Sequence, residues 1–272
     1  MALSAADFGY IRKLVEDHSA IVLSADKDYL AEARLGPVAR QEGLASIEQL
    51  VARLRAAAYD RLHKRVVEAM TTNETSFFRD VAPFAVLRGH LIPQIVQRRP
   101  NAYIQIWSAA CSTGQEPYSI ALTFLEHFPE LAPRVRILAT DLNEQVLDKA
   151  RQGRFSQLEV NRGLPAPMLV KYFTRAGADW ELKPEVRRMV EFRPLNLVAP
   201  LPPLALFDLV FMRNVLIYFD VPKRQLALAG VRKNLAPKGV LFLGTAETTL
   251  AIDDSFERVQ LEKTTFYVPK AA

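Results

Sequence analysis

Residues 107–119 read WSAACSTGQEPYS. They close an apolar run, AYIQIW, and lead into YSIALTFLEHF, which has the composition of a helix. A strand that opens into small residues and then a helix leaves room for a ligand at the strand's carboxyl end. A dinucleotide-binding turn would carry G-x-G-x-x-G there, so that the helix start meets a pyrophosphate. Here Gly114 stands alone, and Glu116 occupies the place of a phosphate. A carboxylate repels pyrophosphate, which argues against a nicotinamide cofactor and suits a ligand with positive charge. Glu116 could equally serve only the helix N-terminus, where an acid is favoured by the helix dipole.

A second strand narrows the choice. VRILATDLN puts Asp141 just past an apolar run, 27 residues after Gly114. An acid at that point typically accepts the ribose hydroxyls of an adenosine. Asp141 could instead cap the helix that begins NEQVLDKA, although Asn143 is as well placed for that. Adenosine without a phosphate loop points to S-adenosylmethionine, which has a sulfonium and an ammonium and no phosphate.

The rest of the chain divides by pattern. Residues 4–70 read as helical and strand-free. Ser4 is a candidate N-cap ahead of Phe8, Ile11, Leu14 and Val15. KDYLAEARLGPVARQEG is a second helix, interrupted at Gly36-Pro37, and a third runs from Ser46 through Met70. The third has an apolar side of Val51, Leu54, Ala58, Leu62 and Val66. On it Arg53, Arg61 and Lys64 fall within about 80°. That is a basic face for steering an acidic partner, or an ordinary solvated one. From residue 100, AYIQIW, VRILAT, MVEF, FDLVFM and VLFLGT alternate with helical segments 117–128, 143–151 and 222–235. Such alternation predicts an α/β fold with a mostly parallel sheet. LAPKGVLFLGTAETT and FERVQLEKTTFYVP read as two strands with little helix between them, and a hairpin-like antiparallel edge there suits methyltransferase folds better than dehydrogenases. The expected domains are a helical one over 1–70, a linker and catalytic start over 71–99, and a methyltransferase domain over 100–272. An insertion of short strands around an Ala-Gly-Ala-Asp turn is expected at about 165–193.

Composition bounds the partners. The 272 residues are 50% hydrophobic, enough for one large or two smaller cores. Residues 1–75 carry 10 Lys/Arg and 11 Asp/Glu, and the remainder 25 and 19. That density is too low for a typical nucleic-acid face. Cys111 is the single cysteine, so no disulfide framework exists. The N-terminus lacks the apolar core of a signal peptide. The uncharged runs 100–115 and 194–207 are too short or too proline-broken to span a bilayer. A cytoplasmic protein is expected, with no nucleic-acid partner and no membrane insertion. His18, His63, His90 and His127 show no ligand spacing, so no metal is expected.

Five stretches in this order carry a family resemblance: TTNETSFFRD at 71–80, WSAACSTGQEPYSIA, ATDLNEQVLDKAR, FDLVFMRNVLIYFD at 207–220 and LAPKGVLFLGTAE at 235–247. Together they resemble the chemotaxis receptor methyltransferase (CheR) family over nearly the whole chain. The resemblance implies a Rossmann-like S-adenosylmethionine-dependent methyltransferase domain, a small all-α N-terminal domain and a small β-subdomain insertion. It implies methyl transfer to glutamate side chains of chemoreceptor cytoplasmic helical bundles, with S-adenosylhomocysteine as product. Asn73, Thr75 and Arg79 would then close over the cofactor. Glu116 and Asp141 would hold its methionine and ribose parts, and Asn196, Leu197, Arg213 and Asn214 would complete the pocket. Tyr218 would face the reacting centre, and Arg79 would orient the incoming carboxylate. From the residues alone, Asn73 is equally a helix N-cap for TSFFRD, and Tyr218 a core tyrosine.

In some members of that family the β-subdomain binds a receptor C-terminal pentapeptide through a longer, glycine-rich loop. Here 16 residues separate Phe173 from Val190, with Gly177 the sole glycine among them. Recognition without such tethering is therefore expected, by a monomer. Two rival readings are a methyltransferase for RNA or another substrate, and a non-catalytic S-adenosylmethionine-binding module.

Overall fold

A computed structural model describes residues 3–270, which fall into two units. The first comprises the chain up to Thr72 together with Tyr218–Lys223. In it α1 (Ala5–Ser19) is capped by Ser4, whose side chain accepts from the Asp7 N–H, and buries Phe8, Ile11, Leu14 and Val15. α2 (Asp28–Gln41) runs unbroken through Pro37, where an interruption was expected. An interior proline costs about 3 kcal/mol. Leu35, Val38 and Ala39 are buried on either side of it, and each large aliphatic contributes about 1.5–3 kcal/mol by burial. Packing therefore outweighs the lost hydrogen bond.

The single helix expected from Ser46 to Met70 is instead two, α3 (Ile47–Arg55) and α4 (Arg61–Ala69). Asp60 causes the break by starting a new helix: its carboxylate accepts from the N–H groups of Leu62 and His63. The buried His63 ring closes the joint, with Nδ1 3.2 Å from Asp60 N and Nε2 3.0 Å from Leu54 O. That satisfies one of the carbonyls orphaned at the end of α3. Ala58 lies exposed in the break rather than on an apolar stripe. Arg53 and the pair Arg61/Lys64 stand on different helices, so the common basic face does not exist in the expected form.

The second unit comprises Asn73–Ile217 and the chain from Arg224 on. α5 (Ala82–Val86) continues through a π-helical stretch, Leu87–Leu91, into α6 (Ile92–Arg98). Then β1 (Ile104–Ala109), α7 (Gln115–His127), β2 (Val135–Asp141) and α8 (Glu144–Gln152) follow in the predicted alternation. After them come β3 (Arg154–Ser156), α9 (Gln157–Asn161), α10 (Ala166–Tyr172), β4 (Phe173–Ala176), β5 (Asp179–Leu182) and α11 (Pro184–Arg187). β6 (Val190–Pro194), β7 (Phe207–Met212), α12 (Val221–Asn234), β8 (Leu235–Leu243), β9 (Phe256–Leu261) and β10 (Thr264–Pro269) complete the chain.

The main sheet has the order β6-β2-β1-β7-β8-β10-β9. β1 pairs in parallel with both β2 (Ile106↔Ile137) and β7 (Ile106↔Leu209). β7 is buried at every position, as expected of a strand covered on both faces. β10 runs antiparallel to β8 and β9, so the expected antiparallel edge is present, but FERVQLEKTTFYVP is two strands rather than one, the chain turning at Glu262 (φ 51) between β9 and β10. The chain leaves β1 toward β2 and later returns to β7 on β1's other side. This reversal makes the carboxyl ends of β1 and β7 a topological switch point, where open α/β sheets bind ligands. β3, β5 and β4 form the small antiparallel sheet. Its third strand, β3, comes from upstream of residue 165. Phe155 and Phe173 of this sheet pack edge-on against Phe77, with ring centroids 5.0 and 5.8 Å away. Among the described residues no helix is long and apolar enough to cross a membrane.

Candidate active site

The loop between β1 and α7 is built from alternating left-handed residues: Ala110 (φ 59), Ser112 (φ 52) and Gly114 (φ 94). The two non-glycines cost roughly 1–2 kcal/mol each, so the surroundings must hold them. Cys111 N–H donates to Thr140 O at 2.9 Å. Ser112 N–H donates to Asp141 Oδ2 at 2.8 Å, and its hydroxyl donates to Asn73 O at 2.8 Å. A Cβ at Gly114 would come within 2.9 Å of Ala150 Cβ. The single glycine therefore serves close packing of α7 on α8, and no phosphate cradle is present in this loop. Cys111 is fully buried, and burial beside Asp141 and Glu116 pushes its thiol well up. It is not a nucleophile in this state.

Asp141 closes β2 at 8% exposure. One oxygen accepts from Ser112 N–H and the other from Asn143 N–H at 3.0 Å. Asn143 caps α8, accepting from Gln145 and Val146, which leaves Asp141 out of the capping role. An ionised carboxylate has about four acceptor sites, so beside the backbone bonds from Ser112, Asn143 and Leu142 it keeps capacity to accept from a ligand hydroxyl. Burial raises its pKa above the usual 3.8, against the lowering by the backbone hydrogen bonds from Asn143, Ser112 and Leu142. A ligand whose hydroxyls donate to Asp141 prefers the ionised form. Its affinity should therefore be full well above the raised pKa and fall as pH drops through it, with proton release on binding in that window. Calorimetry of S-adenosylhomocysteine binding in two buffers over an acid pH series measures both. Asp141→Ala should weaken binding at neutral pH and abolish the acid transition, each lost hydrogen bond costing about 0.5–1.5 kcal/mol.

Glu116 lies in the first turn of α7, but its role exceeds a helix-terminal charge. One oxygen accepts from the Ser108 hydroxyl at 2.8 Å and the other from Arg213 Nη1 at 3.0 Å. The Arg213 side chain, 2% exposed, also donates from Nη2 to Arg79 O at 3.0 Å and to Asp80 Oδ2 at 2.6 Å. One guanidinium thus ties residues 79–80 to the end of β1. Two carboxylates share that one cation, leaving a net negative charge, and Asp141 adds another nearby through the Ser112 turn. The buried Arg213 Nε has no partner. This donor and charge set fits a cationic, phosphate-free adenosine ligand.

The remaining candidates are joined to the same framework. Asp141 O accepts from Leu195 N–H at 2.9 Å, which brings the following Asn196 and buried Leu197 to β2's end. Asn196 Oδ1 turns the chain by accepting from Val198 N–H at 3.1 Å. Asn214 has φ 59, and its N–H donates to Glu247 Oε2 at 2.7 Å. No helix forms over 73–80, so Asn73 is not a cap; its carbonyl anchors the strap to Ser112. Thr75 is half-buried on that strap. Arg79 is half-buried and makes one side-chain bond, to Glu74 O at 3.2 Å; it forms no ion pair among the described residues, and the Glu74 carboxylate, which feels its charge, is paired with Arg162. Tyr218 groups with the helical unit, where its carbonyl accepts from Val22 N–H at 2.9 Å. It is not among the residues joined here. Sequence reasoning missed Asp80, Ser108, Ser112 and Glu247. The first adjoins Arg79 and the last ends the GTAE motif, but only the fold reveals that Arg213 and backbone amides need their carboxylates.

Two family models match this chain: "CheR methyltransferase, all-alpha domain" over residues 6–71 and "CheR methyltransferase, SAM binding domain" over 73–265. The chain is 38% identical to Chemotaxis protein methyltransferase Cher2 of Pseudomonas putida, covering 99% of this chain and all of that protein. It is 39% identical to Chemotaxis protein methyltransferase 1 of Pseudomonas aeruginosa, with the same coverage. To the Chemotaxis protein methyltransferase of Escherichia coli it is 34% identical, over 94% of this chain and 89% of that one.

Proposed function

Because the chain belongs to the CheR methyltransferase family, and is thereby an S-adenosylmethionine-dependent methyltransferase of chemotaxis, we propose that it esterifies glutamate side chains of chemoreceptor cytoplasmic helical bundles. The observation that carries this is Arg79: a guanidinium on the strap of the candidate site that forms no ion pair among the described residues, its neighbouring carboxylate Glu74 being paired with Arg162. S-adenosylmethionine supplies the methyl group on a sulfonium, a good leaving group. A glutamate is already ionised near neutral pH, its reference pKa being about 4.3, so no general base is needed.

The protein's work is then alignment and exclusion of water, which can lower a barrier by roughly 7–11 kcal/mol in favourable cases. Asp141 takes the ribose hydroxyls and Glu116, neutralised in part by Arg213, lies toward the methionine end. Asn73, Thr75, Asn196, Leu197 and Asn214 enclose the cofactor. Arg79 holds the carboxylate oxygen that does not react, since gripping the nucleophilic one would stabilise the ground state. Tyr218 lines the path of the methyl group, a role supported by its place in the MRNVLIYF motif. No metal takes part in this scheme.

The partner is a receptor bundle in the cytoplasm, met by a monomer without pentapeptide tethering. The short turn between β4 and β5, with only Gly177 at positive φ (66°), supports the last point. Titration with a free receptor C-terminal pentapeptide should give no heat, whereas micromolar binding that maps to residues 172–192 would restore tethering. The function itself is tested by where labelled methyl goes: receptor fragments should take it, and label in RNA would favour the rival substrate.

A further inference from the structure

The carboxyl end of the sheet opens into a second space. A cavity of about 550 Å³ is walled by the end of β8 and the start of β10, with Arg213, Glu247, Thr248, Arg258, Lys263 and Thr264 among its lining residues. Two of its charges are already used. Arg213 is held by Glu116 and Asp80. Glu247 accepts from the N–H groups of Gly244, Asn214 and Ile217. Two others are not. Arg258 makes one long contact, 3.4 Å to Thr265 Oγ1, and neither it nor Lys263 has a carboxylate partner among the described residues. Glu262, beside Lys263, faces His90 at 3.0 Å instead. Thr264 is 4% exposed, and its hydroxyl has no hydrogen-bond partner. A buried hydroxyl left unsatisfied is costly, so a ligand that completes it is favoured there.

Two cations without counter-ions and an unsatisfied hydroxyl around one cavity, next to the Arg213–Asp80 strap, have the chemistry of a carboxylate receiver. We propose that this cavity takes a second acidic side chain of the protein substrate, a Glu or Asp flanking the one that is methylated, and that Arg258 and Lys263 select it. The proposal rests on the methylation reading above. A singly charged carboxylate fits better than a phosphate, because Asp80 and Glu247 share the lining and repel a dianion more strongly. Two cations are also too few to follow a nucleic-acid backbone.

The test is a double comparison of KM. The enzyme variant is Arg258→Gln with Lys263→Gln, both exposed positions. The substrate is a receptor cytoplasmic fragment, natural or with the acidic neighbours of its methylated glutamate changed to Gln. On the natural fragment the variant should show a KM raised about tenfold, the scale of two exposed charge pairs. Its kcat and cofactor affinity should be unchanged. The neutralised fragment should raise the wild-type KM similarly and leave the variant's KM where it is. Equal KM values for wild type and variant on the natural fragment overturn the subsite and leave the methylation reading standing. Failure of the wild type to methylate either fragment overturns that reading and the subsite with it.

Discussion

Replacing Arg213 with Met is expected to cost about 3 kcal/mol of stability, read as a fall in melting temperature of roughly 6–12 °C for a unit of this size. The side chain is nearly fully buried and touches two carboxylates and a carbonyl. Removing it strands Glu116, 12% exposed, as an uncompensated charge. The lost attraction matters less than that residue's desolvation. Arg213→Met combined with Glu116→Gln should therefore recover part of the loss. Cofactor affinity should fall in the single variant too, because residues 79–80 lose their tie to β1. Thermal unfolding and calorimetry measure both. An unchanged melting temperature would mean that the buried cluster contributes nothing to the fold.

Arg79→Ala should behave in the opposite way. Its side chain makes one hydrogen bond, to a backbone carbonyl, and no ion pair among the described residues, so the melting temperature should change little. If Arg79 aligns the substrate carboxylate, kcat/KM for a receptor fragment should fall on the order of a hundredfold, the scale of a small misplacement of reacting atoms. Cofactor affinity should fall far less. Arg79→Lys should rescue little, because an ammonium is a point charge and lacks the planar fork that grips a carboxylate at two points. Steady-state kinetics with labelled cofactor distinguishes these outcomes, and a full rate in Arg79→Ala would remove Arg79 from the chemistry.

The contrast between these residues also marks what a linear reading can recover. Strand runs such as FDLVFM, apolar but for Asp208, signalled the buried parallel sheet because burial on both faces leaves that imprint in composition. The single glycine and the acid at Glu116 signalled a ligand without phosphate. Helix boundaries in the N-terminal part were harder to place. Pro37 suggests a break that packing of Leu35 and Val38 overrides, whereas the real break at Asp60 depends on a cap completed by His63. The partnerships of Arg213 were out of reach for a different reason. Asp80 lies 133 residues away in the chain and Glu116 lies 97 away, and no local pattern encodes a contact at that separation. Arg79 and Asp80, adjacent in sequence, look interchangeable as an exposed charge pair. The fold gives one to a buried arginine and leaves the other outside any ion pair among the described residues.

The most direct measurement is the chemical nature of the methylated product. The wild-type protein would be incubated with methyl-labelled S-adenosylmethionine and receptor cytoplasmic fragments, and the washed protein then treated with mild base. Methylation of a glutamate carboxylate predicts label that leaves as methanol, and none from fragments whose acceptor glutamates are changed to Gln. Label that survives base on the receptor, or that is found in RNA, would contradict carboxyl methylation by this site.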